Sequence, residues 1–140
     1  MIILDTNIVS VLYTPTHPDL PIVSAWRQTS RDQNIRTTAI SRAEIAYGIA
    51  MLPEGAKKRS LAESADKFFA PLLGLVLPFG IREAEAYGTI MADRRAKGRP
   101  MSILDAQIAA IAKVAGATVA TRNTKDFLDC GIAVVNPYAL

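Results

Sequence analysis

A chain of 140 residues, half of them hydrophobic and 21% charged, carries enough apolar material for one buried core and excludes an extended disordered protein. The formal charge of +3 is mildly basic, which permits an anionic partner without requiring one. Cys130 is the single cysteine, so neither an internal disulfide nor a cysteine zinc site can be assembled.

Residues 1–4, Met1-Ile2-Ile3-Leu4, read as a short buried strand, and Asp5 falls where that strand gives way to a helix over 7–13. A strand at the very start leaves no room for a charged and then apolar leader, so a cytoplasmic protein forming one domain over 1–140 is expected. The prolines of Thr14-Pro15-Thr16-His17-Pro18 mark a loop. Ile22, Val23 and Trp26 then recur at helical spacing and are expected in the core, although with Val11, Leu12 and Tyr13 they would also suit an apolar groove for a partner. Residues 34–38 form a brief strand, followed by a helix through Leu52 that starts at Ser41-Arg42-Ala43-Glu44.

A helix over 56–73 exposes Lys57-Lys58-Arg59 and is expected to bury Leu61, Phe68 and Leu72. Leu75-Val76-Leu77-Pro78 is an apolar strand at an end or edge. The helix over 81–97 sets Ala84, Tyr87, Gly88 and Met91 on one side, and Arg94, Arg95, Lys97 and Arg99 form a basic cluster near its end that reads equally as a solvated face and as a nucleic-acid contact. Ser102 opens a helix that is apolar almost all round to Ala115, where Gly116 stops it. Lys113 breaks that run well short of a membrane span. Residues 117–121 and 132–135 are the last strands, separated by a turn and short helix over 123–128. Apolar strands alternating with helices predict a three-layer α/β/α domain around a mostly parallel sheet.

Four acids stand out in this frame: Asp5, Glu44, Asp105 and Asp126. Glu44, Asp105 and Asp126 each lie three residues after a candidate N-cap (Ser41, Ser102, Asn123), so each would also serve as a capping-box or dipole-favouring acid. Asp5, Glu44 and Asp126 follow strands, however, and ligands of open α/β sheets sit beyond the carboxyl ends of strands. Asp105 enters a helix buried on most sides, where an unpaired charge is costly. Carboxylates gathered on one edge repel one another, and a divalent cation is the ordinary way to hold them. With no histidine or cysteine among them they are hard oxygen ligands, suited to Mg²⁺ or Mn²⁺ and to hydrolysis of a nucleic-acid backbone; two-metal versions set the ions roughly 3.5–4 Å apart.

Thr6, Ser41 and Thr121 are candidates to hydrogen-bond a ligating carboxylate or a bound water, and equally to serve as cap and strand residues. Arg99, Arg122 and Lys125 are candidates to meet phosphates at the rim, or plain surface charges. His17, the sole histidine, lies in the proline-bracketed loop and rules out a two-histidine acid/base mechanism.

Asp5-Thr6-Asn7, Ser41-Arg42-Ala43-Glu44-Ile45-Ala46-Tyr47-Gly48, Gly98-Arg99-Pro100-Met101-Ser102-Ile103-Leu104-Asp105 and Thr121-Arg122-Asn123-Thr124-Lys125-Asp126-Phe127 together resemble the PIN-domain family. In order and spacing the chain is similar to the VapC toxins of bacterial toxin–antitoxin pairs, particularly their FitB-like branch. The resemblance runs through Asn136-Pro137-Tyr138. It implies a PIN-like fold and an endoribonuclease with a Mg²⁺- or Mn²⁺-bound acidic pocket. It further implies a homodimer and a cognate VapB- or FitA-like antitoxin that also binds operator DNA. Asp5, Glu44 and Asp105 match the family's core acids. At the fourth position many members carry an acid where this chain has Asn123. Either the Asn123 carbonyl oxygen or Asp126, one helical turn along, would fill it, and Asp126 is preferred. In antitoxin complexes of the family a partner segment lies along the early helices, which would give Val11, Leu12, Tyr13 and Trp26 a second use.

The competing reading is an inactive PIN-like module that binds RNA or a protein and keeps its acids as structure. A phosphoacceptor receiver domain is disfavoured, because its third strand should end in an Asp where this chain has Pro78-Phe79. A DNA-directed nuclease stays open, since nothing in the sequence reads a 2′-hydroxyl.

Overall fold

The computed structural model describes residues 1–139. Strands β1 (Ile2–Leu4), β2 (Ile35–Thr38), β3 (Val76–Leu77), β4 (Thr118–Ala120) and β5 (Ala133–Val135) form one sheet in the order β3-β2-β1-β4-β5. Every neighbouring pair is parallel, with Ile3 of β1 opposite Arg36 of β2 on one side and Val119 of β4 on the other. The crossovers carry helices α1 (Thr6–Tyr13), α2 (Leu20–Thr29), α3 (Ala39–Ala50), α4 (Ala56–Phe69), α5 (Ile81–Ala96) and α6 (Ile103–Ala115).

Side chains of a strand alternate between faces, and this splits the core in two. Ile3 and Val119 pack with Ile90 of α5 and the Ala106–Ala112 run of α6. Leu4 and Ala120 pack on the opposite face with Ile8, Val9, Val23, Ile45 and Phe69 from α1 to α4. The result is the expected α/β/α sandwich. The chain builds outward from β1 to β3 on one side and then returns to lay β4 and β5 on the other, so the topological switch lies between β1 and β4.

Local signals explain most boundaries. Ser102 caps α6 by accepting from the Asp105 amide at 3.2 Å, and Gly116 ends it in the left-handed conformation at φ 62°. Four expectations need correction. The N-cap of α3 is Thr38, whose hydroxyl accepts from the Ser41 amide at 3.1 Å, so α3 starts at Ala39 and Ser41 lies within its first turn. Helix α4 stops at Phe69 and tightens into a 3-10 turn over Ala70–Leu72, where Pro71 has no amide to continue the ladder. Its buried residues are Ala65 and Phe69, while Leu61, Phe68 and Leu72 are only half-buried.

The fully buried residues of α5 are Ile90 and Arg94, one turn apart; Tyr87 and Met91 pack against the core beside them, whereas Ala84 and Gly88 are exposed, and Arg94 leaves the surface cluster in which the sequence placed it. Finally, Val11 and Trp26 are committed to the core and Ile22, expected there, is exposed, so the apolar surface left on the early helices is that of Ile22 with the half-buried Leu12 and Tyr13.

Candidate active site

The carboxyl ends of β1, β2 and β4 meet at the switch point. Asp5, the residue after β1, is only 5% exposed and acts as the N-cap of α1. Its Oδ1 accepts from the Thr6 amide at 2.7 Å, and its Oδ2 accepts from the Thr121 hydroxyl at 2.8 Å and from Asn7 Nδ2 at 3.2 Å. The Asn7 amide also donates to Thr121 Oγ1 at 3.2 Å, binding the end of β1 to the end of β4. Burial nevertheless outweighs these donors. The Asp5 carboxyl is raised from 3.8 to about 6, chiefly by desolvation, with further contributions from the charges of Asp105 and Glu44.

Glu44 comes from the second turn of α3. The Thr6 hydroxyl lies 2.8 Å from its Oε1 and 2.9 Å from Ser41 Oγ, so Thr6 donates to the carboxylate and accepts from the serine. This is possible because Thr38, not Ser41, caps the helix, which frees the serine hydroxyl for the site. Asp105, half-buried in the first turn of α6, is raised by desolvation; the Ser102 hydrogen bond opposes this, the Asp126 charge adds to it, and the Arg94 charge opposes it. Asp126 lies in a 3-10 turn over Thr124–Phe127 rather than an α-helix, and Asn123 makes no side-chain cap there. The Asn123 amide instead donates to Thr121 Oγ1 at 3.0 Å.

The four acids therefore form a row along one edge, in which Asp5 feels Glu44 and Asp105, and Asp105 feels Asp126. Among the described residues no three of them close into a ready-made metal cage. None of the four is in an ion pair among the described residues either. Unpaired carboxylate oxygens, one of them buried, are the donor set a hard divalent cation requires, so the residues fit such an ion.

The rim cations divide. Arg99 Nη1 is paired with Asp129 at 2.9 Å. Arg122 sits beside Asp19, which no motif marks, and Tyr138, which figures only as the end of the resemblance. Lys125 is exposed. Arg94 is the residue most misread from sequence: it is 5% exposed, with Nε donating to the Arg99 carbonyl at 2.8 Å and Nη1 to the carbonyls of Leu128 at 2.7 Å and Asp126 at 3.0 Å. Its spacing of four from Ile90 was the available signal. Asn7 was quoted in the first motif, but its bridging role shows only in three dimensions.

Comparison with known proteins meets this geometry directly, as residues 2–131 match the PIN domain model. The chain belongs to the PIN-domain family. It is 34% identical over 140 residues to the VapC ribonuclease Y4jK of Sinorhizobium fredii, covering 99% of this chain and 98% of that protein. It is 37% identical over 139 residues to the toxin FitB of Neisseria gonorrhoeae, covering 99% of each. The structure of FitAB bound to an IR36 DNA fragment superposes with a TM-score of 0.89 at 36% identity, covering 100% of this chain and 97% of that one. The sheet and helices of this PIN domain are thus those of its toxin relatives, and no helix among its described residues is long and apolar enough to cross a membrane.

Proposed function

We propose that this PIN domain, taken as one unit over 1–140, is an endoribonuclease using Mg²⁺ or Mn²⁺, acting in the cytoplasm as the toxin of a VapBC-type pair. The observation that carries the reading is the row of four carboxylates at the switch point, unpaired among the described residues and including one in the core. Asp5, Glu44 and Asp105 would hold the ion, and Asp126 would add the fourth carboxylate in preference to Asn123. When bound, the ion supplies Lewis acidity toward a water nucleophile and toward charge building on the phosphodiester.

The protein's own part is orientation. Thr6, Asn7 and Thr121 fix both oxygens of Asp5, and Thr6 fixes Glu44 with Ser41 behind it, so the carboxylates need little rearrangement to act. The FitB-like relatives extend the reading to partners: a homodimer, and a FitA- or VapB-like antitoxin whose complex binds operator DNA.

The test is cleavage of a panel of structured and single-stranded RNAs, with matched DNAs, by antitoxin-free protein in Mg²⁺, in Mn²⁺ and in chelator, beside Asp105→Asn. Metal-dependent cutting of RNA that is lost in the variant is expected. Equal cutting by the variant would show that the acidic pocket is not the cutting site, and no cutting by folded wild type across a broad panel would give the lead to a non-catalytic binding module.

A further inference from the structure

Arg122, Asp19 and Tyr138 come from three separate parts of the chain: the turn after β4, the residue before α2, and the C-terminal segment. The Tyr138 hydroxyl donates to Asp19 Oδ2 at 3.1 Å, and Arg122 Nη1 lies 3.4 Å from the same oxygen. Arg122 Cζ stands 4.8 Å from the centroid of the Tyr138 ring. The guanidinium therefore rests one face on an aromatic ring and one corner against a carboxylate, which removes much of the rotamer freedom of a surface arginine.

The clamp does not use up the cation. Arg122 is 62% exposed at its side chain, and its contact with Asp19 is single and long rather than bidentate, leaving most of the fork of donors open to solvent. Asp19 is itself shared with the tyrosine hydroxyl. Arg99 differs, being tied to Asp129 by a 2.9 Å contact.

Position completes the argument. Arg122 directly follows Thr121, the donor to Asp5, and its amide lies 3.4 Å from Oδ1 of Asn7, the residue that bridges Asp5 and Thr121. A polyanion led past a row of carboxylates needs fixed positive charge beside that row, and an ordered, half-free guanidinium one residue from the wall supplies it.

We propose that Arg122, clamped by Asp19 and the ring of Tyr138, anchors an RNA phosphate adjacent to the scissile one. The inference rests on the ribonuclease reading above and assigns the β4 side of the site to the strand flanking the cut.

The test compares wild type, Arg122→Ala, Tyr138→Ala and Tyr138→Phe, with Arg82→Ala on the exposed start of α5 as a control for net charge. Binding of a labelled single-stranded RNA is followed in chelator over a salt series, and cleavage is measured in Mn²⁺. Arg122→Ala should flatten the slope of log K against log salt by about 0.7, the share of one phosphate contact on a single strand. It should also raise KM about tenfold, with the larger part of the loss in KM rather than kcat. Tyr138→Ala should reproduce part of both changes, and Tyr138→Phe, which keeps the ring, should stay near wild type. An unchanged salt slope in Arg122→Ala, or a Tyr138→Ala indistinguishable from wild type, would overturn the proposal. A wild type that cuts no RNA would instead overturn the ribonuclease reading, so the two failures are distinct.

Discussion

Asp5 and Arg94 are equally withdrawn from water, each 5% exposed, and they meet burial in opposite ways. Arg94 spreads its charge over the carbonyls of Arg99, Asp126 and Leu128, with the Cys130 sulfur at 3.6 Å, and sits in no ion pair among the described residues. Its Nε and Nη1 donors meet neutral dipoles, and in return it pins the segment before α6 and the turn after β4 to α5. Asp5 accepts three hydrogen bonds yet remains raised to about 6, because burial outweighs those donors and the like charges of Asp105 and Glu44 add to it. A buried charge held by neutral dipoles is a structural fastening, whereas one that burial keeps unfavourable despite its donors is the kind of group found at functional sites.

The sharpest way to break that contrast is Asp5→Ala. Cleavage should fall by about a thousandfold or more, as expected for loss of a metal-holding group. Stability of the metal-free chain at pH 8 should stay within about 1 kcal/mol of wild type, since losing the cap of α1 is offset by relief of the buried charge. A collapse in stability would make Asp5 a fastening like Arg94. The converse substitution, Arg94→Met, should cost on the order of 3 kcal/mol in urea unfolding, because three part-buried hydrogen bonds that tie two segments to α5 are lost together. An unaltered unfolding midpoint would show that the fastening is idle.

Acidity sharpens the same comparison. A carboxyl raised from 3.8 to about 6 in the folded chain binds its proton more tightly folded than unfolded. Its penalty is full above pH 6 and relieved as pH falls toward 4, so metal-free stability should gain on the order of 2–3 kcal/mol from this group on acidification. Thermal melts in chelator should show that gain, and Mn²⁺ should raise the melting temperature more at pH 7.5 than at pH 5. A Mn²⁺ effect independent of pH would place the ion away from Asp5. The smallest change expected is Thr121→Val, which removes one donor to Asp5 and should weaken Mn²⁺ binding and cleavage by about 10–100-fold with little loss of fold.

Asp5 was legible in sequence because an aliphatic triplet ending in a carboxylate has few structural uses, and Asp105 because Ser102 and the apolar run after it mark both the helix start and its burial. Glu44 meets Thr6 near the end of β1, as its place after β2 suggested, but it was singled out for a partly mistaken reason. Thr38-x-x-Ser41 and Ser41-x-x-Glu44 both look like helix starts, and only the observed hydrogen bonds decide between them. Arg94 was hidden by Arg95 and Lys97, since a basic cluster reads as solvated unless the face of the helix is known. The clamp on Arg122 left no trace, because Asp19 and Tyr138 reach one another across 119 residues and meet no periodic pattern. The largest match to expectation is thus where chemistry and local spacing coincide, and the misses lie where a charge finds its partners only through tertiary packing.

The placement of β1 at the middle of the sheet has a consequence in time. Its first neighbour, β2, leaves the ribosome soon after it, but its second, β4, is made only after residue 117, and the Thr121 hydroxyl that steadies Asp5 later still. Pairing across so long a separation comes late in folding. The wall that steadies Asp5 is therefore completed only when a residue 116 positions further along the chain has docked, so the site matures with the last pairings of the sheet and not with its first.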